Sequence, residues 1–336
     1  MLPHSLAVIG CGAISEEYYL PALLRLPRSS ERVWLVDPSQ KRLDEVVRKF
    51  GLAPRQAVGS IGELPTSVSV GFNATPSHLH LETSLDLIGR KINVFLEKPL
   101  AETGKDAQQI ICAAEGKVLL SSNQFRRRFP AYIAIRNLIH HGKLGKIRSV
   151  QWAEGYKFDW PAQSSFYFRR PWPENKPRGV LLDFGSHLID VICWWLGAQP
   201  DVVHAEMDGF GGPEAFVSAT LVSGDTNIDV KLSYLTKLRN EYVIEGEAGR
   251  VRGAALDQRR FYFKPAGGPE RAVQLDGPED KNAIAWELVE NFERASRGQA
   301  ELLINVSSVL DSIIVIDKIY SSAKATLPEF YKEWSR

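Results

Sequence analysis

The sequence predicts an α/β fold: a doubly wound parallel sheet, then a second, helix-bearing domain on a mainly antiparallel sheet. Three observations carry it. Short β-branched runs alternate with amphipathic helical stretches over the first third of the chain. A glycine-rich turn sits where the first of these runs gives way to a helix. Farther on, between residues 202 and 274, strands follow one another directly across glycine-containing turns.

The predicted parallel strands are residues 6–10, 33–37, 68–73, 93–97 and 118–123. Their near-continuous apolar character is that of strands covered on both faces. Helical periodicity fills the gaps at 40–50, 78–89 and 103–115. After Asn123 a helix at 130–141 is closed by Gly142, and a strand at 146–156 follows. An aromatic, proline-rich loop then runs to Arg178, and 181–196 is helical again. Strands at 217–222, 227–234 and 241–247 alternate apolar and polar residues, and helices at 283–297 and 306–322 close the chain. The boundary falls near residue 123, between a parallel-sheet domain at 1–123 and a second, α+β domain at 124–336.

Composition narrows the function. With 41 Lys+Arg against 40 Asp+Glu, a net charge of +1 gives no global attraction to nucleic acid or to a membrane. No apolar run approaches the roughly 20 residues of a membrane span. The start, Met1-Leu2-Pro3-His4-Ser5, has neither the basic segment nor the cleavage site of a signal peptide. Cys11, Cys112 and Cys193 lie far apart without CxxC spacing, as reduced thiols do. A soluble, cytoplasmic enzyme is expected, with no bound metal.

Gly10-Cys11-Gly12-Ala13-Ile14-Ser15 lies between the first strand and a helix. Gly10 permits the tight turn and Gly12 lets the backbone approach a pyrophosphate, while the helix N-terminus offers that anion free N–H groups. Ser15 stands where a third glycine is usual. Asp37, closing the second strand, suits the hydroxyls of an adenosine ribose, so NAD is favoured; Lys41 and Arg42 leave NADP open. Asp37 also reads as an N-cap for the helix beyond Pro38.

Glu97-Lys98-Pro99 falls at the carboxyl end of a predicted strand, where open α/β sheets bind ligands. Asp183 and His187, four residues apart, share a helix face, and Asp190 follows one turn from His187. A carboxylate beside an imidazole tunes it for acid–base chemistry. The same residues also read as a helix N-cap and a core histidine. Between Tyr156 and Arg178 stand Phe158, Trp160, Phe166, Tyr167, Phe168 and Trp172, with Arg169 and Arg170. Aromatic faces suit sugar rings and guanidinium forks suit phosphates, although the same residues also serve to pin a loop.

The ensemble resembles the Gfo/Idh/MocA oxidoreductases. The resemblance rests on the glycine turn, Asp37, Thr75-Pro76-Ser77-His78-Leu79-His80, Glu97-Lys98-Pro99, Arg126-Arg127-Arg128-Phe129, Gly142-Lys143-Leu144-Gly145-Lys146-Ile147 and Asp183-x-Gly185-x-His187-x-x-Asp190. It implies a Rossmann domain followed by an α+β domain with a large open sheet that forms dimers or tetramers. It implies hydride transfer between nicotinamide and a ring carbon of a sugar, cyclitol or nucleotide-sugar. Lys98, Asp183 and His187 match the family's catalytic trio. Gly10, Gly12, Ala13, Ile14, Asp37, Thr75, Pro76, His80 and Glu97 match its dinucleotide site. The substrate set becomes Lys98, Tyr156, Trp160, Arg169, Asp183 and His187. Two other functions stay open: a glycosidase that oxidises its substrate transiently with bound NAD, and a non-catalytic dinucleotide-binding sensor.

Overall fold

The computed structural model describes residues 5–157, 178–208, 212–278 and 280–327. The chain divides into two compact units, Met1–Phe125 with Glu279–Leu310, and Arg126–Pro278 with Asp311–Arg336.

In the first unit six parallel strands stand in the order β3-β2-β1-β4-β5-β6. They are β1 (Ser5–Ile9), β2 (Val33–Val36), β3 (Ala57–Val58), β4 (Val68–Asn73), β5 (Asn93–Leu96) and β6 (Leu120–Ser122). The sequence predicted all but β3, whose two residues are too few for any periodicity. Register places Ile9 beside both Val36 and Asn73, so the chain's winding reverses at β1 and β4. Ligands of open α/β sheets bind at such a switch point. The helix Gln40–Phe50 starts where Ser39 caps the amide of Arg42 at 3.3 Å and stops at Gly51, φ +65°.

Residues 279–310 join this first unit although the sequence placed everything after 123 in the second domain. Burial explains the return. Phe292, on the helix Lys281–Ser296, completes a ring cluster with Tyr19, Phe72 and Phe95 at centroid separations of 5.4–6.0 Å. One turn of that helix also carries Glu293, paired with buried Arg32 at 2.6 Å.

The second unit is built on nine strands in the order β14-β13-β12-β11-β7-β10-β9-β8-β15. They include β7 (Ile147–Gly155), β9 (Phe216–Ser223), β10 (Thr226–Ser233), β11 (Glu241–Gly246), β12 (Gly249–Ala254), β13 (Arg260–Pro265) and β14 (Arg271–Gln274). The sheet is mixed. Its pairs are antiparallel except β7 with β10, and β8 (Asp201–Asp208) with β15 (Lys324–Thr326). Short connections join the antiparallel pairs other than β7 with β11, whereas β7 inserts between strands far along the chain. Strand β10 alternates strictly, with Ile228, Val230 and Leu232 buried and Asn227, Asp229 and Lys231 exposed. On the buried face Tyr132, Trp152, Trp195 and Tyr242 interlock at 5.2–5.7 Å. Truncating one such ring to alanine costs on the order of 3–5 kcal/mol.

Candidate functional site

The glycine turn is assembled within the first unit. Gly10 has φ +86°, and a Cβ there would stand 2.8 Å from the carbonyl oxygen of Ala74. A Cβ at Gly12 would meet nothing within 4 Å, leaving its amide edge open to a ligand. Ser15, in the third glycine's place, is fully buried and turns its hydroxyl back onto the Gly10 carbonyl at 2.5 Å. A serine is tolerated because its one polar group is satisfied by the turn itself. Ala13 and Ile14 lead into a wide π-helical turn, Ser15–Tyr19.

Asp37 organises this turn. Its Oδ2 accepts the amide of Cys11 at 2.9 Å and its Oδ1 that of Ser39 at 2.9 Å, while Ser39 caps the helix Gln40–Phe50. Arg42 donates through Nε to the Cys11 carbonyl at 2.5 Å and pairs with Glu16. Burial, then Asp37, pushes the Cys11 thiol up to about 12, so it stays protonated at neutral pH.

Lys98 follows β5 in the same unit and is half-buried. Glu97 beside it is committed to the protein: its carboxylate accepts from Tyr19 Oη, from Asn123 Nδ2 at 2.6 Å and from the Lys98 amide at 2.9 Å. His80 is likewise buried, with Nδ1 2.9 Å from the Pro99 carbonyl oxygen and Nε2 2.8 Å from that of Thr75. Thr75 is anchored in turn, its Oγ1 donating to Asn73 Oδ1 at 2.7 Å. Pro76 is exposed at the start of the short turn Ser77–Leu79, and Ser77 donates to Glu102 at 2.6 Å. Glu97 and His80 thus brace the backbone around Lys98 and Thr75.

In the second unit Asp183 lies within a π-helical turn, Leu181–Gly185, that runs into the helix Ser186–Leu196 carrying His187. Asp183 makes no N-cap; its Oδ2 accepts the hydroxyl of Tyr234 at the end of β10. Tyr156, after β7, packs edge-on against Phe184 at 5.9 Å, and Phe184 against Tyr234 at 5.0 Å. Burial, then Glu154, pushes the Tyr156 phenol up to about 12. Trp160 and Arg169, with the rest of the aromatic loop, lie outside the described residues.

Asp190 is a structural anion. Arg127 grips it with two hydrogen bonds of 2.7 and 2.6 Å, both side chains being buried. Arg178, at the end of the aromatic loop, pairs with Asp317 at 3.2 Å and lies over the Tyr320 ring. Sequence reasoning missed Tyr234 because its tie to Asp183 depends on where β10 ends; the apolar alternation into Ser233-Tyr234 was the one available signal. Among the described residues no cluster of three His, Cys, Asp or Glu side chains is placed to hold a metal.

A parallel sheet with an open glycine turn at its switch point defines a dinucleotide-binding α/β protein. Residues 5–124 match the oxidoreductase family with an NAD-binding Rossmann fold, and residues 132–252 match the GFO/IDH/MocA C-terminal domain. The chain belongs to the Gfo/Idh/MocA oxidoreductase family, and its first unit is an NAD-binding Rossmann domain. It is 28% identical to glucose-6-phosphate 3-dehydrogenase of Bacillus subtilis over 57% of this chain, spanning about half (53%) of that relative's length. It is 29% identical to trans-1,2-dihydrobenzene-1,2-diol dehydrogenase of Danio rerio, over 73% of this chain and 72% of that one. Its fold matches that of a 3-ketoreductase from Actinomadura kijaniata solved with NADP and TDP-benzene. That match has a TM-score of 0.78 and 19% identity, covering 97% of this chain and all of the other. Among the described residues no helix is long and apolar enough to cross a membrane.

Proposed function

We propose that this chain is an NAD(P)-dependent oxidoreductase acting on a ring hydroxyl or ketone of a sugar, cyclitol or nucleotide-sugar, with Lys98, Asp183 and His187 as its catalytic residues. One observation carries the reading: the turn bearing Asp183 leads straight into the helix bearing His187, and Tyr234 holds the Asp183 carboxylate. A carboxylate held in one orientation on the element of an imidazole is an acid–base arrangement, and a chain of this family has use for one.

In oxidation His187 takes the proton from the substrate hydroxyl as the carbon–hydrogen bond breaks; in reduction it returns that proton. Asp183 stabilises the charged imidazole. Lys98 donates a hydrogen bond to the substrate oxygen as negative charge gathers there, an electrostatic role worth a few kcal/mol. When bound, the nicotinamide supplies the hydride acceptor or donor. The residues that would hold the dinucleotide are Gly10, Gly12, Ala13 and Ile14 at its phosphates and Asp37 at its ribose. Thr75, Pro76, His80 and Glu97 shape the neighbouring backbone. Tyr156, Trp160 and Arg169 would meet the substrate, and a homodimer or homotetramer in the cytoplasm is the expected form.

The test follows reduced-nicotinamide absorbance while purified enzyme meets a panel of polyols, free sugars and nucleotide-sugars with NAD and with NADP. Turnover that Lys98→Met reduces by at least a hundredfold, with cofactor binding kept, is the expected result. Near-normal turnover in that variant sinks the assignment of Lys98. Silence across the panel despite bound cofactor moves the chain to the transient-NAD glycosidase or the sensor.

A further inference from the structure

Glu214 is a buried carboxylate that no step of the proposed reaction uses. Its Oε2 accepts the amide of Gly179 at 2.7 Å, its Oε1 accepts that of Leu181 at 2.9 Å, and its own carbonyl oxygen accepts that of Val180 at 2.9 Å. Three successive amides end on one residue, at the point where the chain winds into the turn holding Asp183. The amide of Asp183 then closes onto the Gly179 carbonyl at 3.1 Å. The approach is so tight that a Cβ on residue 179 would stand 2.1 Å from the Glu214 carbonyl oxygen.

The first amides of a helix find no acceptor within it, and they form the positive end of its dipole. Most helices meet this need with a serine, threonine or aspartate at the cap. Here the turn has no side-chain cap of its own, and Val180 stands at that place. Glu214 supplies the acceptors from the segment before β9, whose own backbone is held by Asp208 through the amides of Ala215 at 2.8 Å and Phe216 at 3.0 Å. Tyr320 donates to Oε1 at 2.8 Å and so orients the carboxylate.

We propose that Glu214 is a positioning residue for the acid–base pair: by binding the amides of Gly179, Val180 and Leu181 it sets the register of the turn that presents Asp183 and, through it, His187. The catalytic part of this rests on the function proposed above; the anchoring does not. Glu214→Gln keeps the size of the side chain but turns one acceptor into a donor aimed at an N–H group, so the turn loses its hold. Tyr320→Phe keeps the carboxylate and frees it to rotate.

The experiment compares the wild-type chain, Glu214→Gln, Tyr320→Phe, Asp183→Asn and the double variant Glu214→Gln/Asp183→Asn. It measures amide hydrogen exchange in residues 179–187, NADH affinity by fluorescence, and kcat on the best substrate of the sugar panel. Expected are a tenfold or greater loss of protection in 179–187 and a tenfold fall in kcat for Glu214→Gln, with NADH affinity within twofold. In the Asp183→Asn background the same change is expected to cost less than twofold, since its effect passes through Asp183. Unchanged protection in 179–187 overturns the proposal, and so do costs that multiply in the double variant. Where Glu214→Gln does not fold, a threefold loss of protection and of kcat in Tyr320→Phe supports the proposal, and the absence of both losses overturns it. If the wild type turns over nothing on the panel, the functional reading fails by itself, and the exchange data still decide whether Glu214 anchors the turn.

Discussion

The imidazole of His80 stands 2.9 Å from the carbonyl oxygen of Pro99, the residue directly after Lys98. Its other nitrogen meets the Thr75 carbonyl oxygen at 2.8 Å, so a single ring ties the loop after β4 to the loop after β5. Two carbonyl acceptors favour the doubly protonated ring, but burial is the larger influence and holds its pKa below the usual histidine range.

Removing this brace disturbs Lys98 without touching it. His80→Ala is expected to lower kcat by about ten- to a hundredfold, the scale on which small misplacements of a reacting group act. Steady-state kinetics beside a thermal melt check it; full activity in a folded variant refutes the bracing role.

Asp37 is expected to make the chain prefer NAD. Its carboxylate is already fixed by the amides of Cys11 and Ser39, and Arg42, the nearby cation, is bound to Glu16 and the turn. Asp37→Ser is expected to improve NADPH binding relative to NADH by about tenfold, or ~1.4 kcal/mol. Fluorescence titrations with both nucleotides measure the ratio, and equal wild-type affinities speak against the preference.

Arg127 and Asp190 form a buried pair, and breaking one side leaves the other uncompensated. Arg127→Leu is expected to cost about 3–5 kcal/mol, whereas replacing both by apolar residues costs markedly less. Denaturant unfolding of the two variants decides. Burial alone raises the Asp190 pKa and Arg127 opposes that, so the single variant recovers part of its loss at low pH, where Asp190 is neutral.

Glu214 carries a pH signature of known sign. Burial raises its pKa from 4.5 to about 7 against the hydrogen bonds that favour the anion. Between those values the folded chain keeps a proton that the unfolded chain has released, so stability falls as pH rises across that window. The full effect is up to about 3 kcal/mol. Melts of wild type and Glu214→Gln from pH 4 to pH 8 isolate it, because all other groups cancel in the difference. A pH-independent difference rejects it.

Local signals determined a large part of this protein. Near-continuous apolar runs marked β1, β2, β4, β5 and β6; Gly10 and Gly12 marked the dinucleotide turn; and Gly142, with φ +65°, closed the helix Pro130–His140. Each of these rests on neighbours within a turn or two, where period and backbone freedom act directly. Other features were decided only by the tertiary structure. Tyr234 meets Asp183, Arg126 meets Glu154, Tyr320 meets Glu214, and the helix Lys281–Ser296 returns to the first unit. Such pairings follow from strand order and register, which bring distant residues together. Burial then forces every buried charge and amide to take whichever partner that packing supplies.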